Sequence, residues 1–531
     1  KEKGSLSHMK KRLVSVLLTV VMVLSLLPTA AFAVTVDNTY QPGSYTASAP
    51  GRGDKPVTVT LTLLQEDEAV VISDLQADGS TQTPDYWAIV EQSDLLDNIK
   101  KANGTTGVDV VSGAPQSSHA VLNAVEAALA QATSAPSGSG TASDPYQIVN
   151  AAQLSAFAAA VDGGSTYAGE YVVLGADIDL SGIDSWNPIG DEAKDSANNF
   201  QGTFDGQGYS ISGLRISTEV QAEGNYGLFS VLGNQAVVRN LSVTGVDMTI
   251  TNTAEAVRVG VFAGDTEKTA GNGDAGLAAR IDNCSATGTV NVTTTGDKMA
   301  FGGGMVGRLF NGGVVTNCWS DVDVTVNALD GTKSAYAGGI AGTTGNYAVI
   351  ANCATFGDVY AAAPASTNFG GMAGGLVGML AGKQYNSYAT GDITIAHGGL
   401  AKDHHWVGAL DGQVTASGTT GSGTAYPAQG AVRSANYYAE DAVLKEEIYE
   451  NNGATLKNTV TDDPVGHGFS TQQNYDKAMV STAVARADMT GAAFADTLNG
   501  NISQINGLLA AYGITGIALR EWQSDGGSVL P

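Results

Sequence analysis

At 531 residues and a formal charge of −26, the chain is too long for one ordinary globular domain and too acidic to favour nucleic acid or an anionic membrane. Its 68 glycines against 13 prolines do not signal disorder, because the glycines recur in phase with apolar residues. Three cysteines, Cys284, Cys318 and Cys353, cannot all pair within one chain.

Residues 1–33 read as an export signal. Lys10, Lys11 and Arg12 form a basic start, residues 13–27 an apolar run, and Ala31-Phe32-Ala33 a small-x-small cleavage site. An apolar run of 15 residues is short for a bilayer span. A secreted or cell-surface location follows, with no transmembrane span in the mature chain, which is expected to begin near Val34. Residues 1–8 precede Met9 and read as lying ahead of the natural start.

Residues 34–132 read as a compact α+β domain. Alternation over 57–63 and 69–75 predicts two strands, and the Ala/Leu-rich stretch 120–132 predicts a helix. Between them lies Ser112-Gly113-Ala114-Pro115-Gln116-Ser117-Ser118. Small and hydroxyl residues ahead of a helix make an anion site, because free backbone N–H groups and the helix dipole converge there.

Together with Tyr40-Gln41-Pro42-Gly43 and Asp109, this segment resembles the small FMN-binding domain of flavin-carrying electron-transport subunits. The resemblance implies that Ser112, Gly113, Ala114, Ser117 and Ser118 surround an FMN phosphate. In that family the residue after Ser-Gly-Ala is commonly a Thr that FMN esterifies. Here it is Pro115, which has no hydroxyl and no N–H, so covalent attachment at that position is excluded, leaving two readings: FMN held non-covalently, or a domain that keeps the fold without the ligand. Nothing else in the chain resembles an NAD(P)H site, so a flavin-loaded domain would need a partner flavin reductase.

Residues 133–143 read as a flexible Ser/Gly linker. Over residues 144–440 the chain repeats itself. Asn283-Cys284, Asn317-Cys318, Asn352-Cys353 and Asn386-Ser387 recur at intervals of 34, 35 and 34 residues. A second recurring strand leads with Gly227, Gly260, Gly304, Gly339, Gly375 and Gly408, which gives six rungs. A constant period of this length, with alternating short strands and no helical pattern, predicts a parallel β-helix rising roughly 30 Å at about 4.8 Å per rung. The Asn residues are expected to form an amide ladder, and the cysteines to be stacked buried thiols, favoured over a metal site because all three hold one repeat position.

The Gly-led strands followed by Asn-Cys resemble GLUG-motif repeats of bacterial surface and secreted proteins. The stretch 138–209, with a short helix over 151–161, resembles the cap that covers the first coil of such proteins. Known relatives are mostly adhesin-like, and the motif implies no activity. The expected fold is mainly β: a right-handed parallel β-helix solenoid, an N-terminal FMN-binding-like α+β domain, and a C-terminal helix-and-strand cap over residues 441–531, closing the end of the solenoid.

Weaker signals resolve toward structure. The adjacent His404 and His405 are a poor metal pair, Arg52-Gly53-Asp54 is a short match to an integrin-binding tripeptide, and Asp177, Asp179 and Asp205 are turn formers before they are calcium ligands. A polysaccharide-active β-helix needs a cationic base, and Arg258, Arg308 and Lys333 are isolated in the sequence. No catalytic and no metal set is assigned. The leading function is a scaffold or adhesive surface for a glycan or protein ligand. An extracellular FMN carrier is the alternative, and a polysaccharide-active enzyme the weaker one.

Overall fold

The computed structural model describes residues 40, 42–66, 69–133, 136–191, 198–233, 235–266, 279–296, 298–310, 312–329, 333–363, 370–398, 406–414, 432–450, 455–461, 481–511, 514 and 518–531. The signal-like stretch and the pair His404 and His405 lie outside the described residues. Contacts divide the chain into two units, residues 1–134 and 135–531.

In the first unit, strands β1 (Gly43–Pro50), β2 (Pro56–Glu66) and β3 (Ala69–Asp78) form an antiparallel meander. Alternation does the sorting: Val57, Val59, Leu61 and Leu63 all point inward and are buried. Helices α1 (Pro84–Glu91), α2 (Leu95–Ala102) and α3 (Pro115–Ala132) complete the unit. Ala120, Ala124 and Ala128 of α3 are fully buried, and their small side chains let the helix approach the strands closely. Helix α3 begins five residues before the predicted 120–132, at Pro115. Proline is suited to the first helical position, where its fixed φ is helical and an N–H would lack an intrahelical partner.

The second unit is mainly β. Two six-stranded parallel sheets carry the glycine-led rungs. One holds Gly224–Tyr226, Val257–Gly260, Ala300–Gly303, Ala335–Gly338, Gly371–Gly374 and Trp406–Gly408, and the other runs from Phe229–Leu232 to Asp411–Val414. A nine-stranded sheet runs from Tyr146–Ile148 to Val432–Ser434, and a larger one from Ile178–Asp179 to Thr455–Thr461. Apart from the antiparallel pair Leu444–Glu450 and Thr455–Thr461, these strands pair in parallel with their equivalents one coil later, as Val238, Ile281, Val315 and Ile350 do in register. One continuous apolar core extends from Ile148 to Leu444. The glycines are required where the two six-stranded sheets meet. A Cβ on Gly307 would lie 2.5 Å from the Val259 nitrogen, and one on Gly342 2.9 Å from the Gly302 nitrogen.

Residues 136–143, expected within a linker, are instead folded onto the first coil. Gln147 N–H donates to Ser137 O at 2.7 Å and Tyr171 N–H to Gly140 O at 2.9 Å. Helix α4 (Ala151–Asp162) then covers the open core, its first turn capped by the Asn150 side chain, which accepts from Gln153 N–H at 2.9 Å. Phe157 of α4 meets Tyr167, Phe200 and Phe204 at ring separations of 4.9, 5.7 and 6.0 Å.

The C-terminal segment departs from expectation. Parallel stacking continues past residue 440, with Leu444–Glu450 on Ile393–His397 and Ser481–Val484 on Asn436–Ala439. Helix α5 (Ala492–Ala511) and the residues after it do not close the end of the solenoid but lie along its flank. Ile505 and Leu509 pack on Val314, Val349 and Tyr385, while Phe494, Leu498 and Trp522 pack on Ala354 and Tyr388. The cause is local: these outward positions are apolar over successive coils and need a cover.

Candidate functional site

The turn ahead of α3 is closed by its own hydroxyls. Ser118 Oγ accepts from Val111 N–H at 3.1 Å and donates to Ala114 O at 2.8 Å, while Ser117 Oγ donates to Gln82 Oε1 at 3.2 Å. Both serines are buried, as is Gln82. Gln82 Oε1 also accepts from Arg52 N–H at 3.0 Å, and its Nε2 donates to Lys55 O at 2.7 Å. The two hydroxyls expected to hold a phosphate are thus spent on fixing the turn. Ser112 and Gly113 are exposed, Gly113 at φ 91°, and Ala114 is buried. Of the first three helical positions, only Gln116 and Ser117 carry an N–H, since Pro115 has none.

Apolar side chains stand beside this polar turn. Ile89 of α1 comes within 3.5 Å of where a Cβ on Gly113 would be, and Ile89 and Val110 are among the large apolar residues left exposed. Arg52 stacks over the Tyr86 ring at 3.9 Å, so the Arg-Gly-Asp guanidinium is engaged with its own domain.

Residues 51–130 match the FMN-binding domain family. The match covers β2, β3, the three helices and the turn, and the fit of the group can be judged on this domain's own atoms. Covalent attachment at Pro115 does not fit. The donors this turn presents to an anion are the Ser112 hydroxyl and the N–H groups of Gln116 and Ser117 at the start of α3; FMN held there would supply redox chemistry, and the chain would supply orientation.

Over 140 residues the chain is 39% identical to a putative Gly-rich membrane protein of Evansella cellulosilytica, covering 24% of this chain and 15% of that one. It is 29% identical to Halomucin of Haloquadratum walsbyi over 280 residues, covering 49% of this chain and 3% of that one. The chain therefore spans a small part of the length of either relative. Among solved structures, an IgA1 protease aligns over 80% of this chain and 27% of its own at 12% identity, with a TM-score of 0.25, too low to define a shared fold.

The repeat columns hold structure. Asn240, Asn283, Asn317, Asn352 and Asn386 all take left-handed φ between 47° and 59° at the same corner, a conformation Asn tolerates better than most side chains. Asn283 Nδ2 donates to Asn240 Oδ1, Asn352 to Asn317 and Asn386 to Asn352. The ladder breaks once, where Asn317 donates to the Asp282 carboxylate at 2.7 Å, a stronger acceptor than an amide. Backbone atoms of the C-terminal segment complete it: Asn317 Nδ2 donates to Ala518 O, Asn352 Nδ2 to Arg520 O and Asn386 Nδ2 to Leu498 O. The cysteines are free and buried one residue further on, Cys284 N–H donating to Cys318 Sγ at 3.4 Å. Burial pushes the Cys318 and Cys353 thiols well above their ordinary value.

Arg258 and Arg308, isolated in the sequence, converge in space. Asp265 stands in register with Arg308, which grips its carboxylate, and Arg258 lies 3.5 Å from the same oxygen and 2.6 Å from Glu223. The carboxyl of Asp265 is nevertheless raised, burial outweighing both guanidiniums. Asp179 and Asp205 are spent on turns, accepting from the backbone N–H of Ser181 and Gln207, whereas Asp177 reaches across to accept from the N–H and hydroxyl of Ser210. Among the described residues no group of three metal-ligating side chains occurs, and no helix is long and apolar enough to cross a membrane.

Proposed function

We propose that the chain is a secreted or cell-surface scaffold: a GLUG-type solenoid that offers its flank to a glycan or protein ligand and carries an FMN-binding domain. The observation behind this reading is that the recurring polar residues of the coils, the Asn corner and the Cys column, are consumed in stacking, which leaves the outer surface as the working part. The export-like residues 10–33 and a relative named as a Gly-rich membrane protein favour the cell envelope as its setting. The full chain applied to glycan arrays and to host or bacterial surfaces should be retained by a defined subset; uniform failure to bind would remove the adhesive reading.

The family match at residues 51–130 favours a second reading, an extracellular flavin carrier. In it FMN is held non-covalently, its phosphate at Ser112, Gly113 and the α3 N-terminus, and a partner flavin reductase supplies electrons. Purified protein should take up added FMN and release it on denaturation without a covalent adduct. Ser112→Asp, which places a negative charge at the phosphate position, should abolish uptake, while Ser117→Ala should act mainly on the turn. A chain that stays colourless in excess FMN would eliminate this reading.

A further inference from the structure

Three columns of inward-facing residues run down the solenoid; two change character at the last described coil and the third one coil earlier. The positions held by Ala263, Val306, Ala341 and Val377 end in Asp411. Those held by Val238, Ile281, Val315 and Ile350 pass to Gln384 and then Arg433. A third column, carrying Val292, Val326, Ala361 and Ile395, ends in Glu446, whose carboxylate meets the buried His397 at 2.7 Å.

The first two columns meet on one carboxylate. Gln384 Nε2 donates to Asp411 Oδ1 at 2.7 Å, and Arg433 Nη1 lies 3.2 Å from Asp411 Oδ2, off the hydrogen-bonding direction. Gln384 and Asp411 are fully buried and Arg433 is 7% exposed. Around this contact three buried polar atoms are left without a hydrogen bond: Gln384 Oε1, Asp411 Oδ2 and Arg433 Nε. Buried polar atoms in folded proteins are nearly always paired, and three orphans on mutually touching side chains ask for one shared partner.

We propose that a single internal water molecule is bound here, donating to Gln384 Oε1 and Asp411 Oδ2 and accepting from Arg433 Nε. Two acceptors and one donor match water, which offers two protons and a lone pair, at the roughly three bonds usual for buried waters. Chloride has no proton to donate and would face a carboxylate. An ammonium ion has no lone pair for Arg433 Nε. The apolar core thus ends in a hydrated polar plug, the point at which another coil with an apolar interior would no longer be accommodated.

The test is a crystal structure of the full chain at a resolution that shows ordered solvent, with oxygen-17 relaxation dispersion counting long-lived internal waters in solution. A solvent peak within hydrogen-bonding distance of the three atoms is expected, together with the loss of one long-lived water in the triple variant Gln384→Ile, Asp411→Val, Arg433→Ile, which restores the residues of earlier coils. No peak, with the three atoms paired to one another or to another side chain, would overturn the proposal. An unchanged water count in the folded triple variant would do the same.

Discussion

At its N-terminal end the solenoid core is closed by α4, which lowers Phe157 onto Phe200 and Phe204, whereas at the last described coil the inward positions hold Asp411, Arg433 and Glu446. One end excludes water with aromatic surface, and the other sets charge among its inward positions. The difference teaches that a solenoid has two separate problems at its ends. The first coil must hide apolar faces that have nothing beneath them, and the last must stop offering such faces to whatever comes next.

The contrast can be broken most severely at its dry end. Phe157→Ala removes the ring that joins α4 to the first coils and should cost about 3–5 kcal/mol. Denaturant unfolding reads that loss, with hydrogen-exchange protection falling first in the strands at 146–148 and 171–174. A uniform loss across all coils would show that α4 is not a local lid.

At the charged end, Arg433→Met strands the Asp411 carboxylate and should cost on the order of 3–5 kcal/mol, whereas the double change Asp411→Val, Arg433→Ile should be neutral or stabilising by up to about 4 kcal/mol. Equal losses in the two variants would mean that the pair stabilises the coil instead of ending it. Acid sharpens the same point. Burial pushes Asp411 from 3.8 up to about 6, more than Arg433 and Gln384 pull it down. The folded chain takes up this proton below about pH 6, the unfolded chain only near the ordinary value, so this contribution to stability grows as pH falls through that window. Above the window ionised Asp411 carries a penalty of about 3 kcal/mol. Comparing urea unfolding at pH 7 and pH 5 should show a gain on acidification that shrinks in Asp411→Asn; an equal gain in both chains would assign it to other groups.

The smallest effect is expected on the flank. Trp522 Nε1 donates to Asn352 Oδ1 at 2.5 Å, and Trp522→Phe keeps the packing while losing that bond, for about 1 kcal/mol. Limited proteolysis should then cut the C-terminal segment sooner while the coils stay protected. Simultaneous loss of both would show that segment and coils unfold as one.

Much of the solenoid was legible because its period is nearly constant: the six rungs, the Asn corner and the cysteine column recur where the spacing puts them, although the leading glycines fall at the bend between two strands and not at the head of one. The helix over 151–161 was expected from the resemblance to capped β-helices, and the structure adds the residue that starts it, Asn150. What escaped depends on partners distant in sequence. Ser117 is claimed by Gln82, 35 residues away, and nothing in Ser112 to Ser118 announces that. Arg258 and Arg308 flank Asp265 through a register that an insertion disguises. The lateral course of α5 rests on Val314, Val349 and Tyr385 facing outward, and alternation alone does not tell an outward residue that will be covered from one that will stay wet. Helices α1 and α2 were not anticipated, being eight residues each and too short for a periodic signal.

The grip of the C-terminal segment on the Asn corner has a consequence for length. Ala518 O, Arg520 O and Leu498 O meet Asn317, Asn352 and Asn386 one after another, so the segment is cut to the spacing of three neighbouring coils. It works as a gauge. A duplicated repeat placed before Asn240 would lengthen the rod and leave the gauge seated, whereas the same insertion between Asn317 and Asn386 would offer four teeth to a segment with three.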